Sequence, residues 1–368
     1  MKFSGQRETL LTPLLQVVGA IERRQTTPVL GNVLIKADSD VITFTASDTE
    51  IELHARASMP DVESGEVTVP ARKFVEIVRN LPESAPVSFE SMDQQAVLKS
   101  GRSRFKLATL PAEDFPIFQS LVESQSVSIA AEQLLQCIRS TAFSMAHQDV
   151  RFYLNGMLLE IDDQRLACIT TDGHRLAYSQ CATSVQPATP VRVIIPRKSV
   201  GELQRLLGTL DADVQIRLEV TAQLMQVHAA NIRLTTKLID GRFPDYNRVI
   251  PVDGNKELII DGPTLRQSLT RASILSNEKY RGVRMALSSG LLTISSNNPD
   301  QEEAVDELEV DYAGDPAEIG FNVTYLLEVL SILDSVNARI RLKDGGSSVL
   351  ITPESSAETR YVVMPMRL

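Results

Sequence analysis

Tryptophan is absent from the 368-residue chain, aromatic residues make up only 5%, and cysteine occurs three times. Cys137, Cys168 and Cys181 form an odd set without a C-x-x-C pair, which argues against a disulfide framework or a zinc site and leaves ordinary buried thiols. No run of about 18 apolar residues exists. The opening MKFSGQRETLL lacks the charged-then-apolar layout of a signal peptide, so a soluble cytoplasmic protein is expected, with no membrane partner. His54, His147, His174 and His228 lie far apart, and no H-E-x-x-H, G-x-S-x-G or Walker A loop occurs. No catalytic residue, metal or cofactor is therefore expected. The scarcity of aromatics leaves little material for stacking single-stranded bases. A net charge of −10 would, for most proteins, also argue against nucleic acid.

What the chain has is repetition. PARKFVEIVRNL (70–81), PRKSVGELQRLL (196–207) and NVTYLLEVLSIL (322–333) share one register, with Phe74, Val200 and Leu326, then Ile77, Leu203 and Val329, then Leu81, Leu207 and Leu333 each at a constant spacing. Apolar positions 0, 3 and 7 fall on one helical stripe, so each copy predicts a short amphipathic helix, with Glu76, Glu202 and Glu328 on the side away from it. The hydrophobic fraction of 43% is ample for packed cores, and the length suits three units of ordinary domain size.

Each unit opens on another predicted helix: Arg7–Arg24 with Pro13 inside it, Ala131–Ala146, and Pro263–Leu275. Alternating runs such as Asn32–Ala37, Gly156–Ile161, Arg165–Thr170 and Val283–Leu287 predict half-buried antiparallel strands, and Tyr361–Met364 a closing one. Asp48 and Asp172 occupy matching turns, while Arg104, Arg233 and Arg360 begin equivalent late strands. The reading is an α+β chain of three tandem similar domains, 1–122, 126–252 and 255–368, each itself a tandem of two half-units, with linkers near Glu123–Gln125 and Val252–Asn255.

The motifs TVPARK (68–73), FSMAHQDVR (143–151), YLNGML (153–158), TDGHRLA (171–177), LIDGRFPDY (238–246), SNEKYRGVR (276–284), EIGFNV (318–323) and YVVMPMRL (361–368) stand in an order that resembles the bacterial DNA polymerase III sliding clamp, its beta subunit. The resemblance covers all three units. It implies a head-to-tail homodimer whose six domains close a ring around duplex DNA, a processivity factor that tethers polymerase without catalysing a reaction. Helices facing DNA should carry cations, as Arg23, Arg24, Arg72, Lys73, Arg79, Arg139, Arg197, Lys198, Arg205, Arg266 and Arg271 would. Thr324, Ser331 and Asp334 break the pattern in the last copy. The acidic excess would then lie mainly outside and discourage binding there.

By the same resemblance, Arg24, Arg72, Gln148, Tyr153 and Lys198 would touch DNA phosphates without reading sequence. A pocket for short partner peptides would be walled by Leu154, Thr171, Gly173, His174, Arg175 and Leu176, by Pro244, Arg248, Val249 and Tyr280, and by Asn322, Tyr325, Ser348, Val362, Met364, Pro365 and Met366. Methionine and valine offer an adaptable apolar surface, with Arg, His and Asn at its edges. Gly346 stands where well-studied members have Val, which would make that wall shallower. Ring closure would set Phe105 and Leu107 against Ile274 and Leu275. The implied partners are a clamp loader and replicative and other DNA polymerases and repair proteins carrying short motifs. Two other readings remain: a peptide-binding scaffold that never closes on DNA, and an enzyme using His174, Asp172 and Cys168.

Overall fold

One pattern, a strand running directly into a helix and followed by three strands, occurs six times. In chain order it is β1 (Lys2–Gln6), α1 (Arg7–Val17), β2 (Asn32–Asp38), β3 (Val41–Ser47) and β4 (Ile51–Ser58); then β5 (Gly65–Pro70), α2 (Ala71–Arg79), β6 (Pro86–Met92), β7 (Gln95–Ser100) and β8 (Ser103–Ala108). The second pair is β9 (Gln125–Ala130), α3 (Ala131–Thr141), β10 (Gly156–Ile161), β11 (Arg165–Thr171) and β12 (Arg175–Ala182); then β13 (Val191–Pro196), α4 (Arg197–Leu207), β14 (Gln215–Val220), β15 (Leu224–Ala229) and β16 (Ile232–Lys237). The third is β17 (Lys256–Asp261), α5 (Gly262–Ser273), β18 (Gly282–Ser288), β19 (Leu291–Asn297) and β20 (Glu303–Glu309); then β21 (Ala317–Asn322), α6 (Val323–Ile332), β22 (Asn337–Leu342), β23 (Val349–Pro353) and β24 (Thr359–Val363). The computed structural model describes residues 1–22, 27–92, 94–183, 187, 189–334 and 336–367.

The half-units interlock. In each repeat the leading strand of one half pairs antiparallel with the second strand of the other half: β1 with β6 and β5 with β2, β9 with β14 and β13 with β10, β17 with β22 and β21 with β18. The results are two four-stranded sheets, β1-β6-β7-β8 and β20-β19-β18-β21, and two eight-stranded ones. The latter arise where four-stranded halves from successive repeats join by their last strands, β4 to β16 and β12 to β24. The chain forms two compact units. The first takes its elements from residues 1–135 and 198–238, the second from residues 136–183, 190–197 and 239–367. Each contains one eight-stranded and one four-stranded sheet.

The predicted helical register holds. Phe74, Val200 and Leu326 are buried, as are Leu203, Val329, Leu81, Leu207 and Leu333, while Ile77 is half-buried. Asn322 caps α6 by accepting from Thr324 N at 2.9 Å, and Asp261 caps α5 by accepting from Thr264 N at 2.8 Å. Three expectations need correction. The first helix ends at Val17 in a 3-10 turn (Val18–Ala20), with Pro13 accommodated inside it, and Arg23 and Arg24 lie outside the described residues. The second ends at Thr141, whose hydroxyl turns back to Cys137 O at 2.7 Å, and a 3-10 turn follows. The predicted linker is shorter too: Glu123 takes a left-handed φ of 57°, and Gln125 already opens β9.

Aromatic packing anchors the first four-stranded sheet. Phe89 stacks on Phe3 with ring centroids 4.8 Å apart and meets Phe74 edge-on at 5.7 Å, and all three are at most 1% exposed. Phe89→Ala should cost about 3–5 kcal/mol, the range for emptying a packed aromatic site. Urea unfolding followed by near-UV circular dichroism checks this, and a loss below about 1 kcal/mol would contradict this packing account.

Candidate functional site

In the second unit, β12 and β24 lie antiparallel with Leu176 opposite Val362 and Arg175 opposite Val363. The chain beyond β24 stays pinned: Met364 N donates to His174 O at 2.9 Å and Met366 N to Gly320 O at 2.8 Å. Two hollows flank this tail and meet at Met364. One, of about 190 Å³, is lined by Leu154, Thr171, Gly173, Arg175, Leu176, Pro244, Val249, Val362 and Met364, together with Arg151, Phe243 and Tyr246. The other, of about 290 Å³, is lined by His174, Tyr280, Asn322, Tyr325, Met364, Pro365 and Met366, together with Lys279. Two of the predicted wall residues line neither: Arg248 is exposed and paired with Asp245 at 3.0 Å, and Ser348 is half-buried elsewhere. Gly346 is likewise outside both hollows, its N–H donated to Asp344 Oδ1 at 2.9 Å.

The floor is apolar, with Leu154, Leu176, Phe243, Tyr246 and Val362 buried and packed as one cluster, Val249 against them. The rim is built on the TDGHRL turn. Asp172 Oδ1 accepts from His174 N at 2.9 Å and Arg175 N at 3.0 Å, while Gly173 holds a φ of +90° that favours glycine. A Cβ there would also come within 2.9 Å of Arg151 Nη1. Asp48 makes the matching turn, accepting from Glu50 N and Ile51 N at 2.8 Å each. Asp149 holds Arg151 at 2.8 Å, and that guanidinium keeps the Asp149 carboxyl down at about 2.

Arg175 lines the first hollow and is also tied into the surrounding structure. It is bound to Asp172 at 3.1 Å, to Glu328 of α6 and to Phe143 O at 2.9 Å, and its guanidinium lies 4.6 Å from the Tyr325 ring centroid. Burial lowers its pKa against the pull of Asp172. His174 remains exposed, stacked on Tyr325 with centroids 6.4 Å apart, as the rim's available polar edge. Arg151, Phe243, Tyr246 and Lys279 escaped the sequence reading although all four lie within quoted motifs. Nothing in the sequence says which side of a turn faces a hollow.

The cations expected at DNA differ in availability. Arg72 and Lys73 at the start of α2, with Arg79 and Arg139, are exposed and make no ion pair among the described residues. Lys198 is engaged by Asp48 and by Glu22 at 3.1 Å. Arg197 donates to Met145 O at 2.8 Å, Arg205 to Gln16 O at 2.7 Å, and Arg266 and Arg271 pair with Asp334 and Asp306. Gln148 is exposed with a left-handed φ of 56°, and Tyr153 is half-buried beside Phe152. Arg24 lies outside the described residues.

Two of the sheet-edge strands carry opposite charge. Among the described residues β8 pairs only with β7, and β20 only with β19. The β8 edge carries Arg104 and Lys106 beside half-buried Phe105 and buried Leu107; β20 carries Glu303, Asp306, Glu307 and Glu309. Near β20, Ile274 at the end of α5 is 74% exposed, an unusual position for a large apolar side chain, with Leu275 half-buried after it. The enzyme reading fails on geometry: Cys168 is fully buried in β11 and the Asp172 carboxylate is consumed by its own turn. Among the described residues no cluster of metal-binding side chains occurs, and no helix is long and apolar enough to cross a membrane.

Comparison with known proteins agrees with this architecture. Family profiles for the DNA polymerase III beta subunit match the N-terminal domain over residues 1–119, the central domain over 128–245 and the C-terminal domain over 247–367. The chain is 46% identical to the beta sliding clamp of Pseudomonas aeruginosa and 45% identical to that of Escherichia coli, covering the whole of each sequence. A crystal structure of the Pseudomonas aeruginosa clamp bound to griselimycin superposes with a TM-score of 0.97 at 45% identity over the full length of both chains. Three interlocked α+β repeats, matched from end to end, place this chain in the family of DNA polymerase III beta sliding clamps, non-catalytic accessory subunits of replication.

Proposed function

We propose that two copies of the chain close head to tail into a six-domain ring that encircles duplex DNA and tethers polymerases through the paired hollows around Met364. One observation carries the ring. Both seams obey one rule, in which the last strand of a repeat's first half pairs with the last strand of the next repeat's second half, β4 with β16 and β12 with β24. The rule leaves β20, ending the first half of repeat three, to seek β8, ending the second half of repeat one, on another copy. Their charges are complementary, basic on β8 and acidic on β20. An unpaired edge also needs a cover. The domains would run 1–122, 126–252 and 255–368.

Inside the ring Arg24, Arg72, Gln148, Tyr153 and Lys198 would meet phosphates, with Arg72 the most available and Lys198 released from its carboxylates only by a competing anion. The hollows would take a short extended peptide of the polymerases, repair proteins or clamp loader, with an apolar pair against Leu176, Val249, Val362 and Met364 and a glutamine near Met366 and Asn322. Loading would need a separate ATP-driven machine in the bacterial cytoplasm. A relative that crystallises with griselimycin bound supports a ligand-accepting surface in this family.

Two experiments test this. Sedimentation of Ile274→Ala/Leu275→Ala should give a folded monomer where the wild type is a dimer; a double variant that stays dimeric removes that contact. Met364→Lys puts a charge where both hollows meet and should weaken a labelled glutamine-leucine-phenylalanine-type peptide at least tenfold, on the order of 1.4 kcal/mol, with the dimer intact. Unchanged affinity would place the peptide elsewhere.

A further inference from the structure

The eight-stranded sheet of the first unit carries a transverse row of side chains. Register sets Thr45 opposite His54, His54 opposite Arg233, Arg233 opposite His228 and His228 opposite Arg217, across β3, β4, β16, β15 and β14. Directly opposed residues share a face, and their chain neighbours Leu53, Ala55, Leu234 and Val227 are buried on the other side. Arg56, Arg217, Arg233 and the two histidines line a hollow of about 320 Å³ on this face.

The charges there do not balance. Glu52 accepts His54 Nε2 at 2.5 Å, and Glu219 serves both Arg217 at 3.2 Å and His228 at 3.3 Å. Neither Arg56 nor Arg233 makes an ion pair among the described residues, and Arg233 Nε is buried without a hydrogen-bond partner. A buried donor left unmet is unfavourable, and an acceptor that met it would remove that cost.

The second unit provides an internal control. Arg360 stands at the same place in its closing strand as Arg233, opposite Tyr178 where Arg233 has His54. That sheet also bears an arginine-lined hollow, with Arg339, Arg341 and Arg360. There the cations are met from within: Glu257 holds Arg339 and, at 2.7 Å, Arg341, while Arg360 lies 5.4 Å from the Tyr178 ring centroid and donates to Ala357 O at 3.0 Å. The repeat thus builds the same groove twice, and among the described residues two arginines of the first-unit copy lack an ion pair against one, Arg360, in the second.

We propose that the Arg56–Arg217–Arg233 hollow is a binding site for a phosphate group. Three guanidiniums stand with only two carboxylates, Glu52 and Glu219, so an anion would meet the remaining positive charge, and the several N–H donors of Arg56, Arg217 and Arg233 match the acceptor oxygens of a phosphate better than the two oxygens of a carboxylate. The site is built against a net charge of −10, so the cations are a local feature of this face. Such a group arrives either as a free phosphorylated small molecule or on a phosphorylated side chain of a partner.

Titration calorimetry of the full-length protein with inorganic phosphate, and with a phosphoserine pentapeptide, at ionic strength held by potassium chloride, tests the site. Phosphate should bind saturably, at least tenfold more weakly in Arg56→Gln and in Arg233→Gln, and unchanged in Arg341→Gln. Stronger binding of the phosphopeptide would assign a protein source, and equal or weaker binding a free one. Arg56 is exposed, so Arg56→Gln keeps the test sound if Arg233→Gln fails to fold. Non-saturating heats reproduced by chloride alone, or full affinity in a folded Arg56→Gln, would overturn the assignment.

Discussion

The antiparallel pairing of last strands across repeats is the interaction on which the architecture depends. At β4–β16 and β12–β24 the backbone ladder runs unbroken from one repeat into the next, turning four-stranded halves into eight-stranded sheets. Inside each repeat the leading strands are exchanged between halves, so neither half completes its sheet without the other. A chain built this way has no free edge at its seams and leaves β8 and β20, the half-closing strands that no seam uses, at the edges of their sheets. Edges of that kind, one basic and one acidic, fit partner strands and make poor surfaces for indiscriminate aggregation.

The same seam places the candidate peptide groove. Pairing of β12 with β24 brings the TDGHRL turn beside the chain's last residues, and the Met364–His174 backbone bond fixes the tail where both hollows meet. Asp172, Gly173 and Arg175 then act as a frame. Asp172 shapes the turn, glycine permits its left-handed backbone, and Arg175 ties the turn to Glu328 on α6 and to Phe143 O. With those polar groups consumed by structure, the floor is left to Leu176, Val362 and Met364, and exposed His174 supplies the rim.

The repeats were legible because the apolar stripe recurs at one spacing: Phe74, Val200 and Leu326 are buried as the periodicity requires. The leading strands were not. Segments such as Gly65–Pro70 and Val191–Pro196 are six residues long and run straight into helices, leaving no turn signal between the two periods. Strand exchange was invisible for a different reason, since β1 finds β6 some eighty residues away and local pattern carries no information about register at that range. The fate of individual arginines was equally hidden. Arg175, Arg233 and Arg360 look alike in sequence, yet one is a buried tie, one has a buried Nε without a partner among the described residues, and one lies over a tyrosine. Side-chain partners decide this, and those come from the seams.

If strand edges close two chains into a ring, retention on DNA is a matter of topology and ceases to depend on charge alone. Binding through phosphate contacts weakens steeply with salt as counterions are released, whereas a closed ring on a closed circle has no path off. The most direct measurement loads the protein onto nicked circular plasmid with a clamp loader, raises the salt, and follows bound protein by gel filtration before and after linearisation. The account predicts that protein stays on the circle at salt that strips ordinary binders and runs off once the circle is cut. Equal loss from circular and linear DNA at moderate salt would contradict it.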